Sequence, residues 1–274
     1  MTSSAATANR SKYDITDVPI VDLSLPIEDV GKDLHEACTT VGFFHLVNHD
    51  VSDTLRSGVL EEARRMFVGL TPQQKESFSV EHSNSYRGYQ RIGVNITKDQ
   101  QDGHEGFDIV SESHRAIRNP PHPDGITNFG QNLWPDPDWM PSLRPTIDQY
   151  VTEMNIVGMK LLQAASSGLG LSKDYFIPYF EDPYWSMRLI RYPPSSVAHP
   201  PSNTLAADTI TDESNGQPRS SSNNINDKFE YGVGTHTDYG VFTMILCDEV
   251  RDTLQILPKR KNDLILGRRD EQQQ

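Results

Sequence analysis

Residues 231–240 read Tyr-Gly-Val-Gly-Thr-His-Thr-Asp-Tyr-Gly and run on into Val-Phe-Thr-Met-Ile-Leu-Cys at 241–247. His236 and Asp238 stand two positions apart. In an extended chain, residues i and i+2 point to the same face, so an imidazole nitrogen and a carboxylate oxygen can meet at one metal ion. One more histidine would complete a two-histidine, one-carboxylate facial triad, which suits Fe(II) and leaves positions open for co-substrate and O2. By itself an H-x-D pair is also what two polar loop residues look like. The apolar run after it is strand-like and too short to span a bilayer.

Upstream, the chain supplies helices first and strands later. Residues 18–24 and 43–47 read as short strands, the first with a proline that suits a strand start or an edge. Between them Ile27, Val30, Leu34, Cys38 and Val41 recur in steps of three and four, which predicts a helix over 27–41 stopped by Gly42. A second helix is expected over 52–69, with Ser52 as cap and Leu55, Val59, Ala63 and Met66 on one side. Thr71-Pro-Gln-Gln74 is a helix-start signal: Thr71 can cap, Pro72 suits the first position and Gln74 can reach back.

Residues 84–138 are rich in Gly, Pro, Asn and Asp and read as strand fragments and ordered loops. His104, Glu105 and Asp108 are expected there as solvated or turn-stabilising residues, and Trp134-Pro135 as a packing anchor. His45 and His49 are expected as partly buried structural histidines. The longest helix is predicted over 140–167, where Leu143, Ile147, Tyr150, Met154, Val157, Leu161 and Ala165 keep helical spacing. Strands follow at 185–192, 241–247 and 253–257. Residues 195–229 hold almost no large apolar side chains and read as an exposed disordered insertion. This order predicts an α+β fold rather than βαβ alternation.

Composition narrows the function classes. The 274 residues carry 25 Lys+Arg against 38 Asp+Glu, a net charge of −13. Such a chain repels phosphate backbones and anionic lipid, so nucleic acid and membrane surfaces are not expected partners. With 35% hydrophobic and 23% charged residues it has the composition of a soluble globular protein. Two cysteines, Cys38 and Cys247, cannot form a disulfide framework and fit a reducing compartment. The N-terminal stretch lacks the apolar core of a secretory signal, so a cytoplasmic location is expected.

The segment GVGTHTDYGVFTMILCDEV at 232–250 resembles the metal-binding strand region of the isopenicillin N synthase-like, 2-oxoglutarate/Fe(II)-dependent dioxygenases. Other stretches resemble that family in the same order: VPIVDLS at 18–24, GFFHLVNHDV at 42–51, TPQQK at 71–75 and YRGY at 86–89. HEGFDIV at 104–110, GQNLWP at 130–135 and MRLIRYPP at 187–194 continue the series. The resemblance implies an N-terminal helical and strand region over 18–110. It implies a double-stranded β-helix, or jelly roll, over 111–257, interrupted at 195–229 and incomplete at the C-terminus. Residues 1–17 and 258–274 fall outside the pattern as tails.

The same resemblance implies His236 and Asp238 as iron ligands, with no catalytic side chain beyond the metal site. Tyr192 would lie beside the co-substrate or substrate carboxylate, and Arg87 and Tyr89 would border the substrate pocket. The blander readings are a core aromatic for Tyr192 and a loop-anchoring role for Arg87. Fe(II), 2-oxoglutarate as co-substrate and O2 would together hydroxylate, desaturate or cyclise a small molecule of secondary metabolism or catabolism. An oxidase that takes its electrons from substrate alone, as isopenicillin N synthase does, is the sub-alternative.

The family pattern also expects a second histidine and an Arg-x-Ser motif well beyond the H-x-D pair. Here His236 is the last histidine and Ser222 the last serine, and PKRKNDLILGRRDEQQQ from Pro258 onward no longer resembles the family. A truncated, impaired enzyme is therefore the expectation. A non-catalytic remnant or binding protein is the competing reading. Substrate and oligomeric state have no signature in the sequence.

Overall fold

The computed structural model describes residues 18–97, 100–112, 130–194, 232–250 and 254–256. The expected tails at 1–17 and 258–274 and the expected insertion at 195–229 lie outside these residues. Contacts group the described residues into two compact units. One holds those up to Arg56, those of 148–181 and those from Met244 onward; the other holds those of 57–147 and 182–243.

In the first unit, β1 (Ile20–Asp22) and β2 (His45–Val47) pair in parallel, with Ile20 opposite His45 and Asp22 opposite Val47. Parallel neighbours need a crossover, and α1 (Ile27–Thr40) supplies it. The Asp22 carboxylate ties the two strand ends: it accepts from the Ser24 amide at 2.9 Å and from Asn48 Nδ2 at 2.8 Å. Along α1, Val30, Leu34 and Ala37 are buried, whereas Cys38 is exposed. The buried stripe is thus turned slightly from the expected one, toward Gly31, which meets α4 (Leu143–Gly168) backbone to backbone.

That contact makes a sign prediction. A Cβ on Gly31 would lie 2.6 Å from the Ala164 carbonyl oxygen and 2.8 Å from the Gly168 nitrogen. Glycine to alanine inside a helix ordinarily gains about 1 kcal/mol. At Gly31 the clash is with backbone that cannot swing away, so we expect Gly31→Ala to destabilise by about 1–3 kcal/mol. Gly158, on α4, has nothing within 4 Å of the same added atom, so Gly158→Ala should stabilise. Urea midpoints moving in opposite directions at unchanged m-value would bear this out.

The helix expected over 52–69 is α2 (Asp53–Arg64) followed by a wider π turn at Arg65–Gly69. The carbonyl of Phe67 in that turn accepts from Lys75 Nζ at 3.1 Å. Thr71 closes a capping box onto the short α3 (Pro72–Glu76): Gln74 N–H donates to Thr71 Oγ1, and Gln74 Oε1 accepts from the Thr71 amide. The long helix expected over 140–167 is α4, and Leu143, Ile147, Tyr150, Val157 and Leu161 are buried along it.

The second unit is built on an antiparallel sheet in the order β3 (Gly88–Gln90), β6 (Glu105–Val110), β7 (Ser186–Arg191). A hairpin of β4 (Ile96–Thr97) and β5 (Gln100–Gln101) lies between β3 and β6 in sequence. Register sets Tyr89 opposite Phe107 and Phe107 opposite Leu189. These side chains share one face, where Phe78 and Trp134 meet the Phe107 ring edge-on at 5.7 and 5.9 Å. Helices and an antiparallel sheet give the expected α+β class.

Two expectations are corrected. Glu105 and Asp108 belong to the central strand β6 rather than to a loop, because cations from distant positions neutralise both: Lys75 and Arg191 reach Glu105, and Arg188 grips Asp108 with two bonds of 2.5 Å. The strand expected at 241–247 is irregular chain, as are the described residues of the strand expected at 253–257. A strand exists only as one side of a hydrogen-bonded ladder. Among the described residues no strand pairs with 241–247, and Val241 and Ile245 are exposed. No helix among the described residues is long and apolar enough to cross a membrane.

Candidate metal centre

The turn after the β4–β5 hairpin holds the approach to the H-x-D pair. Asp102 N–H donates to the Asn95 carbonyl at 2.8 Å, and Thr97 Oγ1 donates to Asp102 Oδ2 at 3.0 Å. The next two residues both turn to Gly232. Gly103 N–H donates to its carbonyl oxygen at 2.9 Å, and His104 Nδ1 lies 3.3 Å from the same oxygen. On the other side of the ring, His104 Nε2 is 3.4 Å from the Asn95 amide nitrogen. A carbonyl only accepts and an NH2 group only donates, so these partners assign the proton to Nδ1 and the lone pair to Nε2. Burial pushes the His104 pKa down, more strongly than the Gly232 carbonyl and Asp102 pull it up.

Gly232 is enclosed from a second direction. The Tyr192 ring centroid is 5.5 Å from that of His104, and a Cβ on Gly232 would fall 2.3 Å from Tyr192 Cδ1. A larger residue there would have to displace the Tyr192 ring. Two residues on, Gly234 lies against the Thr97 methyl group, which an added Cβ would approach to 3.1 Å.

His236 and Asp238 follow directly. His236 Nδ1 is 2.8 Å from the Gly234 carbonyl oxygen, so it bears the proton and donates. Nε2 lies 3.2 Å from Asp238 Oδ1, a gap that a shared proton or a cation can bridge. Donors bound at about 2.1 Å and at right angles on one metal ion would stand about 3 Å apart, so the pair fits two adjacent coordination positions. Both side chains are about half exposed, which leaves room for further ligands. No group of three or more His, Cys, Asp or Glu side chains gathers among the described residues.

The other candidates are placed differently. Tyr192 is half exposed, beside Gly232 as described. Arg87 is wholly buried; its guanidinium donates to the Gly130 carbonyl and, at 3.4 Å, to that of Ser111. Tyr89 is buried in the sheet core, with its hydroxyl donating to Glu105 Oε2 at 2.6 Å. Burial first, then this hydrogen bond, pushes the Tyr89 phenol well above its ordinary range. The structure therefore brings Tyr192 and the residues leading to His236 together, and turns the polar atoms of Arg87 and Tyr89 toward buried partners. His104 was not legible as part of this arrangement. A lone histidine between Gly103 and Glu105 carries no local signal, since its contacts are far along the chain.

Comparison with known proteins shows the family. The family described as "non-haem dioxygenase in morphine synthesis N-terminal" matches residues 18–137. A homoarginine-6-hydroxylase of Arabidopsis thaliana is 32% identical over 233 residues, covering 84% of this chain and 54% of that protein. A homoarginine-6-hydroxylase of Glycine max is 30% identical over 259 residues, covering 89% of this chain and 69% of the relative. The chain belongs to the isopenicillin N synthase-like 2-oxoglutarate/Fe(II)-dependent dioxygenases. Solved structures share the fold. A 2OG-Fe(II) oxygenase family protein of Caulobacter crescentus superposes with a TM-score of 0.53 at 23% identity, covering 65% of this chain and 56% of that one. The full-length T7H of Neurospora crassa, solved in complex with alpha-KG, gives 0.50 at 22%, covering 64% and 54%. The chain thus spans about half to two thirds of the length of these proteins.

Proposed function

We propose that this chain carries part of an oxygenase that uses Fe(II), 2-oxoglutarate and O2 to oxidise a C–H bond of a small molecule. The observation that carries the reading is the His236 Nε2–Asp238 Oδ1 approach of 3.2 Å, with Nδ1 already committed to Gly234. Bound there, the iron would supply the oxidising chemistry for which protein side chains alone have no equivalent. The chain's own residues bind and orient. His236 and Asp238 offer two donors on one side, and the Gly234 carbonyl fixes the imidazole tautomer. Tyr192 presents its ring at the entry to the segment, where we assign it to the co-substrate or substrate. Arg87 and Tyr89 act on substrate indirectly, through the sheet they help to hold. We assign the described residues of 111–257 to the jelly-roll portion, after an N-terminal region over 18–110.

Relatives named for homoarginine hydroxylation support hydroxylation as the outcome. The two cysteines, Cys38 and Cys247, too few for a disulfide framework, support a reducing, cytoplasmic setting. With two donors gathered among the described residues, iron binding by this chain alone should be weak. The test is titration of the 274-residue protein with Co(II), an oxygen-stable stand-in for Fe(II), followed by absorption. His236→Ala should weaken binding by more than the roughly 10- to 100-fold that loss of an outer-shell partner costs. Equal affinity in wild type and His236→Ala would remove the metal site and favour a non-catalytic binding protein.

A further inference from the structure

We infer that His104 is a positioning residue for the metal segment: through Nδ1–H it fixes the Gly232 carbonyl, and so the path by which Gly232–Asp238 presents its two donors. The inference rests on the metal reading above and adds a residue from outside the segment. Three observations converge on it. The Gly232 oxygen takes its two donors, Gly103 N–H and His104 Nδ1, from one turn. His104 is 2% exposed, so no solvent substitutes for either bond of its ring. Its far nitrogen faces the Asn95 amide, which only donates, so the tautomer that can donate to Gly232 is the one selected. Tyr192 then closes the remaining side, in contact with both the His104 ring and the Gly232 α-carbon. The peptide of Gly232 is thereby held on three sides, four residues before His236. A change at His104 alters where the first donor starts without touching it.

Two homologous amides separate positioning from mere packing. Asparagine carries its NH2 at the place of Nδ1 and can still donate to Gly232. Glutamine carries it at the place of Nε2 and cannot. Both are polar and uncharged, and glutamine is the nearer to histidine in size, so a purely packing role would favour glutamine over asparagine, the opposite order. In the full chain, hydrogen exchange of the peptide covering 232–243 should speed up about five- to tenfold in His104→Gln, the size of one net hydrogen bond. Co(II) affinity should fall by a similar factor. His104→Asn should return both toward wild type.

Wild-type exchange and wild-type Co(II) affinity in His104→Gln would overturn the inference, as would equal defects in the two variants. If wild type and His236→Ala bind Co(II) alike, the metal reading fails on its own account. Exchange then decides: faster exchange in His104→Gln with rescue by His104→Asn upholds the anchoring of the segment, and unchanged exchange overturns it.

Discussion

Replacing Glu105 with alanine is expected to cost the fold about 3–5 kcal/mol, the range for breaking a buried ion pair from one side. Glu105 is 2% exposed and accepts from three groups: Lys75 Nζ at 2.8 Å, the Tyr89 hydroxyl at 2.6 Å and Arg191 Nη1 at 2.6 Å. Without the carboxylate, two cations and a phenol face one another in the sheet core. Lys75 also loses the partner that holds its ammonium over the Tyr89 ring, 5.2 Å from the centroid. A fall in thermal midpoint, with unfolding still cooperative, is the measurement.

The same carboxylate sets an acid limit. Burial raises its pKa, but hydrogen bonds from Lys75, Tyr89 and Arg191 together outweigh burial, and the net value lies below the ordinary one. A carboxyl whose folded pKa is depressed contributes stability that is complete above its unfolded pKa. That stability is lost as the pH falls through the folded value. Wild type should therefore lose stability steadily below about pH 4.3, and Glu105→Gln should show a flatter acid limb. Parallel acid limbs in the two proteins would contradict this account of the network.

Replacing Arg87 with methionine should cost about 1–3 kcal/mol, because the carbonyl of buried Ser111 loses its donor, while that of exposed Gly130 can turn to water. Burial lowers the guanidinium pKa, with Tyr184 and Glu112 pulling it back up, and arginine stays charged throughout the ordinary range. The substitution separates two roles. If Arg87 holds the sheet, the urea midpoint moves and Arg87→Lys recovers little, since lysine lacks the planar fork. If Arg87 touched substrate directly, affinity would change while the midpoint stayed in place.

What could be read from the chain beforehand was local. The capping box at Thr71, the α1 helix and the buried positions of α4 depend on residues three or four apart, and each was visible in its spacing. The H-x-D pair was visible for the same reason. Glu105 and Asp108 were misjudged because a charge in sequence looks like surface, and the cations that neutralise them come from far away: Lys75 is 30 residues from Glu105, and Arg188 is 80 from Asp108. The parallel β1–β2 pair and the His104–Gly232 contact were hidden likewise, the latter spanning 128 residues. The apolar run at 241–247 showed the opposite failure. Its composition is that of a strand, but the ladder that makes a strand is a property of two segments.

The order in which the sheet is strung has a consequence for synthesis. Asp22 and Asn48, which tie β1 to β2, are 26 residues apart, whereas Glu105 and Arg191 across β6 and β7 are 86 apart. The difference in closure entropy is only about 1 kcal/mol, so thermodynamics barely separates the two events. Translation separates them outright. The β1–α1–β2 unit can close once Asn48 has emerged, and β3 can pair with β6 once residue 110 has emerged. From then until Arg191 has left the exit tunnel, the other edge of β6 has no partner, and Phe107 and Ile109 lie on that strand. An open edge of this kind is a template for pairing with another nascent chain. The interval in which α4 is being built is therefore the one in which this protein most needs a chaperone.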